Sequence, residues 1–84
     1  MTLVELRYLV ALASEGSFSR AATRCEVSQP TLSLAVARLE KDLGVRLFER
    51  SRIGKELVRP TAVGAEIVAQ AQIALRETQR IREI

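Results

Sequence analysis

FSRAATRCEVSQPTLSLAVARLEKDL, residues 18–43, is the stretch that decides the fold of this chain. Its first part places four apolar residues on one helical face: Phe18, Ala21, Ala22 and Cys25. Ser28 then has the side chain of a good N-cap, and Pro30 is tolerated in a first turn, which needs no backbone donor. Two short helices joined by a tight turn form a helix-turn-helix, whose second helix enters the DNA major groove. The stretch therefore predicts a DNA-reading module.

The second helix of this motif has two faces of different chemistry. Its large apolar residues follow a helical period and predict a core face, formed by Leu32, Val36, Leu39 and Leu43. The opposite sector holds Pro30, Leu34, Ala37 and Lys41, flanked by Ser33 and Arg38. Side chains that are mostly small, polar or basic are not those that a protein core buries. We expect this sector to lie against a DNA groove.

The elements around the motif follow from their own start and stop residues. Thr2 and Glu5 have the spacing of a capping box that begins helix one, and Gly16 ends that helix. The stripe that helix one buries is predicted to be Leu6, Leu9, Val10 and Ala13. Two extended runs, 47–50 and 56–59, flank a turn that contains Gly54 and predict a β-hairpin. Its basic residues fit a wing laid along DNA, and a solvated basic hairpin is the alternative.

A final helix is predicted from Pro60 and Thr61 to Ile84. Seam positions recur along it at Ile67, Ala71, Ala74, Thr78 and Ile81, and a second row of Val68 and Leu75 lies beside them. Such a stripe is typical of a helix that packs against a partner helix. The alternative is that the helix folds back onto the chain's own core. We divide the chain into residues 1–59, a winged helix-turn-helix, and residues 60–84, a linker helix for dimerisation.

The composition argues against other functional classes. With 84 residues, 48% hydrophobic and 27% charged, the chain predicts a single globular domain. There is no histidine, and the single cysteine, Cys25, is expected in the core of helix two, so we expect no catalytic residues, no cofactor and no metal site. Residues 20–59 carry a net charge of +4, more than the +3 of the whole chain, which suits a phosphate backbone. No apolar run reaches the ~20 residues of a membrane span, and we expect a cytoplasmic protein.

These residues resemble the DNA-binding domain of LysR-type transcriptional regulators. The resemblance rests on Ala21-Ala22, Val27–Ser33, Leu39-Glu40, Leu43-Gly44, Leu47–Arg50 and Thr61-x-x-Gly64. It implies a mainly α fold, a winged helix-turn-helix of three helices plus a two-stranded β-wing, followed by a long linker helix that pairs with a second copy. Within the family the sequence is most similar to the peroxide-responsive OxyR group, through Leu6–Ala13, Arg24-Cys25, Ser28–Ser33 and Leu39–Val45.

The resemblance also implies roles for individual residues. Base-reading or groove-facing positions correspond to Gln29, Pro30, Ser33, Leu34, Arg52 and Ile53. Positions that resemble phosphate contacts are Ser19, Arg20, Ser28, Thr31, Arg50 and Thr61. Many family members have arginine where this chain has Leu34, so we expect a thymine methyl contact there instead of a guanine contact. The change implies greater reliance on DNA shape and phosphates.

The function that we expect is sequence-specific binding of double-stranded DNA at an interrupted palindromic promoter site. The resemblance implies a homodimer through the linker helix and a tetramer in a full-length protein. It also implies a separate regulatory domain that reads an effector or a redox signal. Two alternatives stay open: a LysR-type regulator of a metabolic operon with another inducer, and a winged-helix protein-interaction module without DNA binding. The salt dependence of duplex binding separates the second alternative from the other readings.

Overall fold

In residues 1–51 and 57–84, which are those that the computed structural model describes, the chain forms four helices and two strands. In chain order they are α1 Leu3–Glu15, α2 Phe18–Cys25, α3 Gln29–Leu43, β1 Phe48–Arg50, β2 Val58–Pro60 and α4 Ala62–Arg82. The predicted architecture is confirmed: three helices, a two-stranded antiparallel wing and then a long helix.

Helix ends are fixed by the side chains that the sequence places there. Thr2 Oγ1 accepts from the backbone N–H of Glu5 at 3.1 Å, and the Glu5 carboxylate accepts from the Thr2 N–H at 2.8 Å. This is the predicted capping box, which satisfies two donors that a helix leaves free. Ser17 and Ser28 cap α2 and α3 by accepting one backbone N–H each, from Arg20 and Thr31. Gly16 ends α1 in the left-handed conformation, with φ +70°, as predicted.

The core lies where α1, α2 and α3 meet the start of α4 and the root of the wing, which comprises residues 46–48 and Val58. Its largest fully buried side chains are Leu9, Leu12, Leu32, Leu39 and Leu47. Helix α1 is central because it packs against both α2 and α4. For that reason α1 buries a broader face than the predicted stripe. Leu6 and Leu9 are buried as expected, Val10 and Ala13 are half-buried at the edge, and Ala11 and Leu12 are buried in addition.

One core prediction on α3 is wrong. Leu32, Val36 and Leu39 are buried, but Leu43 is 37% exposed. As the last residue of α3, Leu43 lies at the edge of the packed layer, where its side chain lines an open groove beside Met1. On the same helix Ala35 is buried instead. On α2, Cys25 is half-buried and packs against the core, so the predicted apolar environment holds although burial is incomplete.

The two wing strands pair antiparallel, with Phe48 opposite Pro60, Glu49 opposite Arg59 and Arg50 opposite Val58. The strands are shorter than the predicted runs, and β2 ends one residue later than predicted. The proposed boundary between residues 59 and 60 therefore falls inside β2, and α4 begins only at Ala62, with Thr61 as its N-cap. The predicted turn and its tip residues, Arg52 and Ile53, lie outside the described residues.

Hydrogen bonds join the root of the wing to the helices. Val58 N–H donates to the carbonyl of Gly16 at 2.9 Å, and Leu47 N–H donates to the Glu40 carboxylate at 2.8 Å. Gly64, near the start of α4, packs so closely on the root that an added Cβ would overlap the carbonyl of Leu47. Glycine is required at such a close backbone approach. The root of the wing is therefore joined to the end of α1, to α3 and to α4.

The first half of α4 belongs to the core of its own chain. Gly64, Val68 and Ala71 are buried, while Ala74 and Leu75 are half-buried against the core. Towards the end of the helix the side chains are exposed, and Ile81 is 70% exposed. None of the helices in the described ranges is long and apolar enough to cross a membrane.

Candidate nucleic-acid interface

The outer sector of α3 is exposed as the sequence predicts. Its residues are Pro30, Leu34, Ala37, Arg38 and Lys41, and all of them are exposed to solvent. Leu34 is 52% exposed, so its side chain is accessible to a partner. Gln29 is also exposed, in the first turn of the helix. Gln29, Pro30 and Leu34 are therefore all accessible near the start of α3, with Leu34 one turn after Pro30 on the same face and Gln29 to one side of it.

Ser33 lies at the edge of this surface, one turn after Gln29 and Pro30. It is half-buried on the flank of α3 that turns towards β1, and it lines a cleft there. Its hydroxyl has no hydrogen-bond partner in the part of the chain that the structure describes. Ser33 is therefore on the flank of the surface that carries Gln29, Pro30 and Leu34, next to the cleft.

Arg20 and Ser19 lie in the first turn of α2 and are exposed. One N–H of the Arg20 guanidinium donates to the carbonyl of Glu15 at 3.0 Å, and its Nε lies 4.0 Å from the Glu15 carboxylate. Arg24 pairs with the same carboxylate at 3.4 Å. Surface ion pairs of this kind contribute little to stability, but they restrict where the side chains point. Arg20 keeps further N–H groups for a phosphate because its guanidinium carries five donors.

Ser28 and Thr31 form a local hydrogen-bonded pair at the start of α3. The Ser28 hydroxyl accepts from the Thr31 N–H at 3.2 Å and donates to Thr31 Oγ1 at 2.8 Å. The proton of the Ser28 hydroxyl is thereby used within the helix. Thr31 keeps its own hydroxyl proton, so of this pair it is Thr31 that can donate to a phosphate oxygen.

Thr61 has its donors committed within the chain. Its N–H donates to the carbonyl of Leu47 at 3.0 Å, and its hydroxyl donates to the carbonyl of Arg46 at 2.6 Å. The same hydroxyl oxygen accepts from Gly64 N–H at 3.0 Å and so caps α4. A phosphate contact needs a donor, and Thr61 has none left. The structure gives this residue the role of a joint between α4 and the wing root.

Arg50, at the end of β1, lies over the ring of Phe18 with 4.6 Å between the guanidinium carbon and the ring centroid. Both residues line the cleft between α3 and β1, whose volume is about 200 Å³. Its full lining is Phe18, Ser33, Val36, Ala37, Glu40, Arg46, Phe48 and Arg50. Our sequence reasoning missed the contribution of Phe18 and Arg46. Phe18 and Arg50 are far apart in sequence, and only the folded wing brings them together.

The predicted dimerisation residues divide between two environments. Ala71 is 3% exposed because it packs on the chain's own core, as the fold-back alternative proposes. Ile67 and Ala74 are half-buried and line an open groove of about 370 Å³, together with Met1, Leu6, Leu43, Gln70 and Ala71. The Thr78 hydroxyl donates to the carbonyl of Leu75 at 2.7 Å, and Ile81 projects into solvent.

Within residues 1–51 and 57–84 no cluster of three or more His, Cys, Asp or Glu side chains could hold a metal ion. The side chains described above are donors, cations and apolar groups on an exposed helix and a neighbouring cleft. Donors and cations can bind the phosphates of duplex DNA, and apolar groups can contact thymine methyls, so this arrangement suits duplex DNA as a partner.

Comparison with known proteins agrees with this geometry. The family model "Bacterial regulatory helix-turn-helix protein, lysR family" matches residues 3–65. The DNA-binding transcriptional dual regulator OxyR of Escherichia coli K12 is 45% identical over 84 residues, which are 100% of this chain and 27% of that protein. The chain thus spans about a quarter of the length of this relative.

Solved structures extend the comparison to the fold. A variant of full-length OxyR from Pseudomonas aeruginosa superposes with a TM-score of 0.90 and 60% identity, covering 99% of this chain and 27% of that one. The BenM DNA-binding domain, in its complex with catB site 1 DNA, superposes with a TM-score of 0.90 and 35% identity, covering 99% of this chain and 89% of that one. The chain therefore belongs to the lysR family of bacterial regulatory helix-turn-helix proteins and has the fold of that family's DNA-binding domain.

Proposed function

We propose that this chain binds double-stranded DNA in a sequence-specific manner as the DNA-binding and dimerisation domain of a transcriptional regulator. One observation carries the proposal: the outer sector of α3 is exposed along its length, in a fold that superposes on a DNA-bound relative. A role as regulator implies neither catalysis nor a cofactor of its own. It also implies a protein that works in the cytoplasm, where bacterial DNA lies.

In this proposal the first turn of α3 reads the bases. The Gln29 amide is exposed there and has both a donor and an acceptor, which is the pairing that the major-groove edge of adenine requires. Leu34, one turn after Pro30, is also exposed, and its methyl groups can contact a thymine methyl. Arg20, Thr31 and Arg50 surround this surface and supply donors for the phosphates.

We further propose that two copies bind together through α4. The half-buried edge of Ile67 and Ala74 and the exposed Ile81 supply an apolar surface for a second α4. In a two-fold dimer the recognition helices would enter half-sites separated by about one helical turn, ~34 Å, or multiples of it. A site of that kind is an interrupted palindrome. The tetramer and the effector domain expected for a full-length regulator involve sequence beyond these 84 residues.

For the biological role we propose a response to oxidative stress, as in OxyR. Its support is the 45% identity to the Escherichia coli protein and the 60% identity to the Pseudomonas aeruginosa structure. A regulator with another inducer is the second candidate, because the fold superposes equally well on the BenM domain, with a TM-score of 0.90 for each. The signal would be read outside this domain, so the regulatory domain of the whole protein decides between the two.

Duplex binding measured over a series of salt concentrations tests the proposed function. We expect the chain to bind duplex DNA, with log affinity falling linearly with log salt as phosphate contacts release counterions. A specific site selected from random duplexes should be bound ~10³-fold or more tightly than bulk sequence. If no duplex binds at low salt, the chain is instead a protein-interaction module of the same fold.

A further inference from the structure

The cleft between α3 and β1 is lined by two arginines, Arg46 and Arg50, and it lies beside the exposed face of α3. We infer that this cleft binds one backbone phosphate of bound DNA through Arg46 and Arg50, and that Phe18 positions Arg50. The inference rests on the proposed function, duplex DNA binding. It adds two residues to that function: Arg46 as a second phosphate contact, and Phe18 as the residue that positions Arg50.

Geometry puts a phosphate strand at this place. When α3 lies in the major groove and the wing lies beside it, the sugar–phosphate strand that borders the groove must run between them. The cleft is the space between α3 and β1, and its volume of about 200 Å³ leaves room for a phosphate group. It is open to solvent on the side where Arg46 and Arg50 are exposed, so the strand has access.

The donors in the cleft match a phosphate. Arg46 and Arg50 bring two guanidinium groups, each able to form two parallel hydrogen bonds to phosphate oxygens. Ser33 adds a hydroxyl that has no partner within the described ranges. Glu40 brings one carboxylate, but one of its oxygens already accepts from Leu47 N–H at 2.8 Å. Positive charge therefore prevails by two groups to one.

Phe18 fixes where the Arg50 guanidinium lies. Alternate residues of a strand point to the same face, so Arg50 points to the same side of β1 as the buried Phe48, towards the helices. There the guanidinium lies 4.6 Å from the centroid of the Phe18 ring, a cation–π distance. Because a phenyl ring accepts no conventional hydrogen bond, this contact leaves the guanidinium N–H groups available to a phosphate. A side chain held in this way loses less conformational freedom when it binds a phosphate.

A first experiment measures the salt dependence of duplex binding for the 84-residue chain. The double variant Arg46→Gln/Arg50→Gln is compared with Arg80→Gln/Arg82→Gln, which removes the same charge from the end of α4. If the two arginines share one phosphate, the cleft variant loses about one counterion per protomer, so the fall in affinity between 50 and 200 mM salt becomes about 3.5-fold smaller for each protomer bound. We expect the α4 variant to keep the wild-type slope.

The outcomes separate this inference from the proposed function. If the wild type does not bind duplex DNA, the proposed function fails, and the inference fails with it. If the wild type binds but both double variants have its slope, the cleft holds no phosphate although the chain is a DNA-binding protein. A change of about two counterions per protomer would also contradict a single shared phosphate, because each arginine would then bind a phosphate of its own.

A second experiment tests Phe18 with a double-mutant cycle. Phe18→Leu should weaken duplex binding about two- to fivefold when Arg50 is present, the range of an exposed cation–π contact, and should have no effect in the Arg50→Gln background. An equal loss in both backgrounds would reduce Phe18 to a core residue. Since Phe18 is buried, Phe18→Met serves as a second substitution if the leucine variant melts below the assay temperature.

Discussion

Gly64 packs directly on the carbonyl group of Leu47, so the first turn of α4 lies against the root of the wing without any side chain between them. Thr61 strengthens this joint because its N–H and hydroxyl donate to Leu47 and Arg46. The long helix and the wing therefore meet through backbone groups and one short hydroxyl, which cannot adjust as long flexible side chains can.

The first prediction concerns this joint. Gly64→Ala should destabilise the fold by about 2–3 kcal/mol, since the added methyl must displace backbone and cannot be accommodated by a rotamer change. Urea unfolding followed by circular dichroism gives the free energy of unfolding. Gly44→Ala is the control: its Cβ would meet no atom within 4 Å, and the strain of its φ of +70° should cost only about 1 kcal/mol. Equal losses in the two variants would contradict the close packing at Gly64.

The second prediction concerns the link between α3 and β1. Glu40→Ala removes the carboxylate that accepts from Leu47 N–H and should cost about 1–3 kcal/mol, because a part-buried donor is left without its partner. Glu49→Ala, on the exposed side of β1, removes the same charge and should change stability by no more than about 0.5 kcal/mol. Thermal unfolding of both variants side by side measures the difference, and a loss for Glu49→Ala as large as that for Glu40→Ala would argue against the link.

The third prediction separates base reading from phosphate binding. Gln29→Ala should cost about 1–3 kcal/mol on the selected site and relax the preference at one base position, whereas Arg50→Ala should weaken binding to all sequences. Selection from random duplexes, followed by affinity measurements on the winning and a scrambled site, gives both quantities. Equal losses on the two sites for Gln29→Ala would remove its base-reading role.

The fourth prediction concerns self-association. Ile81→Asp should leave the fold intact, since the side chain is 70% exposed, but should weaken dimerisation at least tenfold by placing a charge in the proposed α4 interface. Sedimentation equilibrium measures the dimer constant. Gln79→Asp, exposed on another side of the same helix, is the matched control. A dimer that tolerates Ile81→Asp as well as Gln79→Asp would place the interface elsewhere.

Local signals predicted the helices well. The caps at Thr2 and Ser28 and the glycine stop at Gly16 each act within a few residues of the helix end, so the sequence shows them directly. The period of α3 likewise predicts the two faces of that helix, apart from Leu43 at its end. The resemblance to the LysR family extended the prediction to the wing and to the order of the elements.

Relationships between distant residues were harder to predict. The contact of Arg50 with Phe18 and the commitment of the Thr61 donors depend on how the wing docks on the helices, and no local pattern reports that. Ala71 shows the same limit: its seam position fits either a partner helix or the chain's own core, and only the packing of α4 on α1 places it in the core.

The joint at Thr61 has a mechanical consequence. Thr61 at the start of α4 is hydrogen-bonded to Arg46 and Leu47, and the neighbouring wing is hydrogen-bonded to Gly16. Because of these bonds, we expect α4 and the helix-turn-helix to rotate together as one rigid unit. In the proposed dimer, a small rotation of α4 would then change the distance and the tilt between the two recognition helices without changing any residue that contacts DNA.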